Sequence, residues 1–120
     1  MERVISLKQL NRATLKRQLL LRRSSVSVVK AVTRLAGLQA EDPVSPFVGL
    51  YARLASFRSS TLDHALESRR VVRALLMRST IHAVTREDYL SWVETLRVVS
   101  AQSVSPQNSQ KKIVRSCNVS

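Results

Sequence analysis

Gln39 and Glu41 lie two residues apart in the segment GLQAEDP, residues 37–43, between a helical pattern and a turn. If this segment is extended, both side chains point to the same face, because side chains alternate across a strand. An amide and a carboxylate placed side by side on a short strand can hold a water molecule against a substrate. The alternative is structural: Gln39 satisfies backbone groups at the end of the strand, and Glu41 with Asp42 begins a turn.

The chain carries a large excess of positive charge. Of its 120 residues, 20 are Lys or Arg and 8 are Asp or Glu, which gives a net charge of +12. Residues 1–40 hold nine of the basic side chains and one of the acidic ones. Such a field attracts nucleic acid or an anionic membrane surface. The alternative is a solvated, arginine-rich surface without a partner.

The remaining composition excludes several classes of protein. Cys117 is the one cysteine, so an intramolecular disulfide and a cysteine-based zinc site are excluded, and a reducing compartment fits. His82 is assigned a packing or hydrogen-bonding role, and we predict neither a metal nor a cofactor. No apolar run approaches the ~20 residues that cross a bilayer, so we predict a cytoplasmic protein. The composition of residues 1–23 would also suit an organellar transit peptide.

Local patterns predict five helices and three short extended segments. Ser6 with Gln9 forms a capping-box signal before the first helix. Gly37 is placed to end the second helix with a positive φ, and Thr85 with Asp88 caps the last one. Apolar residues cover much of the circumference of the first helix, which predicts packing on two sides. The first four helices are expected over residues 7–21, 26–36, 46–56 and 61–68, and the extended segments over residues 38–41, 71–77 and 80–84.

This order of elements predicts a mainly α fold with a small β-hairpin. It matches a winged helix, a helix-turn-helix variant, with an extra N-terminal helix. Residues 61–68 would form the recognition helix, and residues 71–84 the wing. The domain with its flanking helices is predicted over residues 1–100. Residues 101–120 are rich in Ser, Gln, Asn and Lys without a sustained period, which predicts a disordered or aberrant tail.

Several motifs in fixed order make the chain similar to a known family across about residues 5–97. The chain resembles the bacterial winged helix DNA-binding domain-containing proteins, which include DNA glycosylases that excise alkylated bases and unhook interstrand crosslinks. The motifs are LKQLNRA at 7–13, GLQAEDP at 37–43, GLYARL at 49–54, RVVR at 70–73, LMRSTIH at 76–82 and EDYL at 87–90.

The resemblance implies a role for Gln39 and Glu41. The catalytic motif of the crosslink glycosylases is Gln, any residue, then Gln or Asp, and Gln39-Ala40-Glu41 stands in its place. Glu41 departs from that pattern. Cleavage of an N-glycosidic bond builds positive charge on the sugar, and a carboxylate can stabilise this charge or take a proton from the attacking water. Gln39 would hold that water.

The resemblance also implies a longer protein built from tandem winged helices, of which this chain would hold the first. The remaining winged-helix domains would then be its partners, together with DNA, most simply as a duplex. The family's helical pattern gives way after residue 99 to a serine-rich segment, as a frameshift or an early stop would produce. We therefore expect a fragment or a decayed copy.

Basic side chains outside residues 39–41 are the predicted DNA contacts. Phosphate contacts position a protein on DNA without specifying sequence, and Asp63 and Glu67 on the predicted recognition helix disfavour base reading there. The sequence predicts a DNA-binding domain of a glycosylase-like protein in the bacterial nucleoid. The alternatives are an active DNA glycosylase and an inert truncated remnant. The candidate contacts are Lys8, Arg12, Lys16, Arg58, Arg69, Arg70, Arg73 and Arg78.

Overall fold

The computed structural model describes the backbone of residues 4–103 and the side chains of residues 4–98. These residues form a mainly helical fold with one small antiparallel sheet of three strands. A single 3₁₀ turn, Met77–Ser79, joins the last two strands. The elements in chain order are α1 (Leu7–Arg17), α2 (Val28–Leu35), β1 (Leu38–Gln39), α3 (Ser45–Arg53), α4 (Ser59–Glu67), β2 (Val71–Leu75), β3 (Ile81–Thr85) and α5 (Arg86–Ser103).

One apolar core lies between α2, α3, α4 and the sheet. Each of these elements contributes side chains that are almost fully removed from water, and this burial is the main force that holds the helices to the sheet. Half-buried aromatic and aliphatic side chains surround the cluster, among them Phe47 and Phe57. The buried cluster consists of Leu19, Val28, Ala31, Val32, Ala40, Leu50, Leu54, Leu62, Ala65, Val71 and Ala83.

The first helix differs from its prediction in length and in packing. The Ser6 hydroxyl accepts from the Gln9 N–H at 3.3 Å, which confirms the capping box at its start. The helix ends at Arg17 because Leu19 adopts a positive φ of 56° and turns into the core. No residue of α1 is buried. The prediction that this helix packs on two sides is therefore wrong: its apolar side chains face solvent, with Leu7 73% exposed.

The hairpin that the sequence predicts is confirmed. β2 pairs with β3 in antiparallel register, from Val71 opposite Thr85 to Leu75 opposite Ile81. At the tip, Arg78 and Ser79 both have a positive φ, near 56°. The Thr80 N–H donates to the Met77 carbonyl at 3.1 Å and closes the turn. The unexpected feature is that β3 also pairs with β1, which makes the hairpin part of a three-stranded sheet.

The last helix begins at the predicted cap. The Thr85 hydroxyl accepts from the Asp88 N–H at 3.2 Å and donates to the Asp88 carboxylate at 2.8 Å. α5 then continues to Ser103, three residues beyond the predicted domain boundary. The rest of the predicted tail, residues 104–120, lies outside the described residues. Within residues 4–103, none of the helices is both long and apolar enough to pass through a membrane.

Candidate functional site

The segment with Gln39 and Glu41 lies at an edge of the sheet. β1 pairs with β3 so that Gln39 is directly opposite His82. Ala40 is fully buried, whereas Gln39 and Glu41 on either side of it are exposed. This alternation puts both polar side chains on the solvent side of the segment, as expected for extended backbone.

Gly37 allows β1 to approach β3 this closely. It follows the left-handed Ala36 at the end of α2 and has a φ of +100°. A Cβ atom at position 37 would lie 2.7 Å from Val84 Cγ1 and 3.2 Å from the Ala83 carbonyl oxygen. Backbone carbonyls cannot move aside without breaking the pairing of the strands, so glycine is required both for conformation and for space.

We therefore expect Gly37→Ala to lower the free energy of unfolding by about 2 kcal/mol, because it combines backbone strain with a steric clash. Urea unfolding followed by circular dichroism measures this change. Gly49→Ala in α3 is the matched control. Its new Cβ would meet Arg53 Nη1 at 3.5 Å and Leu38 Cδ2 at 3.6 Å, which is ordinary contact.

For Gly49→Ala we expect a gain of about 0.5–1 kcal/mol, since alanine is the better helix former. Equal effects of the two substitutions would show that the approach of β1 to β3 does not depend on Gly37.

Arg73 holds the same segment from the other side of the sheet. Its Nη2 atom donates to the Ala40 carbonyl at 2.7 Å, which fixes the peptide between Ala40 and Glu41. Arg73 forms no ion pair with Asp63 or Glu67, since the one ion pair within residues 4–98 joins Arg97 and Glu94 across 3.8 Å. Arg73, one of the candidate DNA contacts, thus uses part of its guanidinium group for a hydrogen bond within the protein.

Glu41 and Asp42 interact with backbone amides near β1. One Glu41 oxygen accepts from the Ile81 N–H at 3.3 Å, and an Asp42 oxygen accepts from the Val44 N–H at 2.7 Å. The second contact is the turn that the structural alternative predicts. A long, exposed hydrogen bond such as that of Glu41 is weak, so its carboxylate keeps acceptor capacity for a ligand.

Gln39 opens into a cleft of about 430 Å³ between β1 and the tip of the hairpin. The other side chains that line this cleft are Met77, Arg78, Thr80 and His82. In the described part of the chain, no hydrogen bond engages the Gln39 side-chain amide, which can therefore donate to and accept from a water molecule or a sugar oxygen. Glu41 does not line this cleft, although it is on the same edge of the sheet.

The structure distributes the predicted basic contacts over several places. Lys8, Arg12 and Lys16 form an exposed row along α1 that spans about 12 Å. Arg58 precedes α4, whereas Arg69 and Arg70 follow it, so α4 separates them. Arg69 and Arg70 are also at the base of the hairpin, about 15 Å along its strands from Arg78 at the tip. The fold brings only Arg78 into the cleft with Gln39.

The sequence did not identify Thr80 and His82 as part of this site. Both belong to the extended run after the hairpin turn, and their spacing of two residues places them on one face of it. The sequence does not show that β1 pairs with this extended run, and this pairing is what brings Thr80 and His82 next to Gln39. A two-residue strand carries too little pattern to reveal its partner forty residues away.

One comparison with known proteins shows the family of this chain, and a second shows a protein with a similar fold. The family profile described as DNA glycosylase AlkZ-like matches residues 32–115. Among solved structures, the Streptomyces sahachiroi DNA glycosylase AlkZ is similar, with a TM-score of 0.67 and 21% sequence identity. The match covers 87% of this chain and 30% of that one, so the chain spans less than a third of that protein. No curated protein matches the sequence.

Proposed function

Because the chain belongs to the family of AlkZ-like DNA glycosylases, we propose that it is a DNA-binding winged-helix domain, the amino-terminal part of a glycosylase-like protein. The order of elements from α2 to β3 supports a winged helix, since a helix, a short strand, two helices and a hairpin follow one another. The hairpin would be the wing and α4 the recognition helix. Further winged-helix domains of a longer protein would be its partners, and a cytoplasmic, nucleoid-associated location stays a prediction.

The cleft beside the hairpin carries this proposal. Arg78 and Gln39 line the same cleft, so a phosphate bound by Arg78 would bring the adjoining sugar next to the Gln39 amide. Arginine holds phosphate through paired N–H donors. α4 suits base reading less well, because it exposes Asp63 and Glu67, whose charge repels phosphates. Binding would therefore depend mainly on the backbone of DNA.

The test compares two arginine substitutions in binding to a short DNA duplex. We expect Arg78→Ala to weaken binding and to reduce the slope of log affinity against log salt by about 1, as for the loss of one phosphate contact. Arg97→Ala is the matched control, because Arg97 is exposed on α5 and interacts with Glu94. Fluorescence anisotropy at several salt concentrations measures both slopes. Identical slopes for the two variants would remove Arg78 from the interface.

The second proposed function is hydrolysis of the N-glycosidic bond of an alkylated base. It is supported by the family and by the Gln39 amide in the cleft. In this reaction the oxygen of a water molecule bonds to the sugar carbon C1′ while the bond to the base nitrogen breaks. An alkylated purine that is already cationic leaves as a neutral base, because it takes the bonding electron pair and needs no proton. Glu41 would stabilise the positive charge that develops on the sugar.

A further inference from the structure

His82 is placed to interact with whatever Gln39 binds. The two residues are directly opposite each other in the β1–β3 pair, and both line the cleft. Side chains in such cross-strand positions have Cβ atoms about 5 Å apart. A water molecule between them can therefore contact the amide and the imidazole at the same time.

Hydrogen bonds of the ring assign its proton to Nδ1. This atom lies 3.1 Å from the Thr80 carbonyl oxygen, which can only accept, so Nδ1 must donate. The Thr80 hydroxyl, 3.4 Å from Nδ1, already donates to the Met77 carbonyl at 3.0 Å. It too can only accept from Nδ1. In the neutral ring, Nε2 then carries a lone pair, and no hydrogen bond within the described residues engages it.

We infer that His82 is the general base of the proposed hydrolysis, with Nε2 as the atom that receives the proton. The inference rests on the proposed glycosylase function. Gln39 holds a water molecule. The oxygen of this water attacks C1′, and one of its protons passes to Nε2 as the bond to the base breaks. The alkylated base departs with the bonding electrons as a neutral molecule, and the net positive charge of the step ends on the imidazolium. Nδ1–H stays bonded to the Thr80 carbonyl throughout and keeps the ring oriented.

This assignment separates the roles of the two titratable groups near Gln39. Glu41 interacts with the Ile81 N–H and stands outside the cleft, where a carboxylate can stabilise charge on the sugar. His82 faces Gln39 within the cleft and can remove the proton. A residue with a purely structural role would need only its Nδ1–H contact with Thr80.

The test uses two replacements: one keeps a polar group at the position of Nδ1, and the other removes the whole ring. The amide of His82→Asn reaches the position of Nδ1 and preserves the contact with Thr80, but nothing remains at Nε2. We expect this variant to release N7-methylguanine from a site-specifically alkylated duplex about 10²–10³ times more slowly than the unaltered chain in single turnover. Its melting temperature and its affinity for undamaged duplex should not change. In His82→Ala, added imidazole should restore at least about a tenth of the lost rate, because a free base can occupy the cavity.

Other outcomes distinguish a failure of the role of His82 from a failure of the proposed hydrolysis. An unchanged rate in His82→Asn, or a His82→Ala variant that imidazole does not rescue, overturns the role of His82 alone. If the unaltered chain releases no base, the proposed hydrolysis fails, and the role of His82 fails with it. A melting temperature that falls in step with the rate would indicate a structural role and would also overturn the inference.

Discussion

The affinity of the chain for a short DNA duplex is expected to fall about 10³-fold when the salt concentration rises from 50 to 200 mM. This value assumes that six of the eight candidate basic side chains neutralise phosphates, which gives a slope of log affinity against log salt of about −5. The exposed row on α1 and Arg78 at the hairpin tip supply four of these contacts. A titration by fluorescence anisotropy at four salt concentrations measures the slope.

A triple variant separates the row on α1 from the rest of the surface. Lys8→Gln, Arg12→Gln and Lys16→Gln together should reduce the slope by about 3. The fold should not be affected, because none of the α1 residues is buried. An affinity that does not depend on salt would contradict a phosphate interface. A normal slope in the triple variant would place the interface elsewhere on the molecule.

Gln39→Ala is expected to slow the release of N7-methylguanine about 10²–10³-fold in single turnover. Loss of one preorganised polar contact to the reacting atoms has an effect of this size. The substitution should leave the stability nearly unchanged, since the Gln39 side chain is exposed and has no hydrogen-bonding partner among the described residues. Chromatographic detection of the free base, with the protein in excess over DNA, gives the rate.

Gln18→Ala is the matched control for this experiment. Gln18 is the C-cap residue directly after α1, is exposed, and contributes its backbone carbonyl, not its side chain, to the contact with Arg53. Its replacement should therefore leave both the rate and the DNA affinity unchanged. Equal rates for Gln39→Ala and the unaltered chain would remove Gln39 from the reaction.

Local signals in the sequence predicted the elements of this fold well. The Ser6 capping box, the positive φ of Gly37 and the Thr85–Asp88 cap are all present, because each depends on residues within a few positions of one another. The hairpin also followed from two β-branched runs around a short turn. These features needed no knowledge of distant contacts.

The predictions that failed depend on contacts between residues that are far apart in the sequence. The end of α1 depends on Leu19, which leaves the helix to enter a core made by residues far along the chain. The apolar side chains of α1 could not be recognised as exposed, because their pattern is the same as in a buried helix. Likewise, the cleft combines Gln39 with residues of the hairpin about forty positions later, and only the pairing of β1 with β3 creates it.

The sequence gives the number of cationic side chains but not the hydrogen bonds that each of them forms within the protein. Arg73 donates to the carbonyl of Ala40, and Arg53 donates to the carbonyls of Gln18 and Gly49. These arginines tie segments of the protein together, so they are less available to DNA than exposed arginines such as Arg78. Amino-acid composition alone does not distinguish these arginines from those that are free to contact DNA.

The most direct test of the proposed action of Gln39 and Glu41 on the sugar compares two DNA duplexes that differ at one nucleotide. One carries a neutral tetrahydrofuran ring in place of the sugar and base, and the other carries a protonated pyrrolidine, which mimics the charge on the sugar in the transition state. We expect the chain to bind the pyrrolidine duplex about 10² times more tightly, and we expect Gln39→Ala and Glu41→Gln each to lose most of this preference. Equal affinity of the unaltered chain for the two duplexes would contradict the claim that Gln39 and Glu41 act on the sugar.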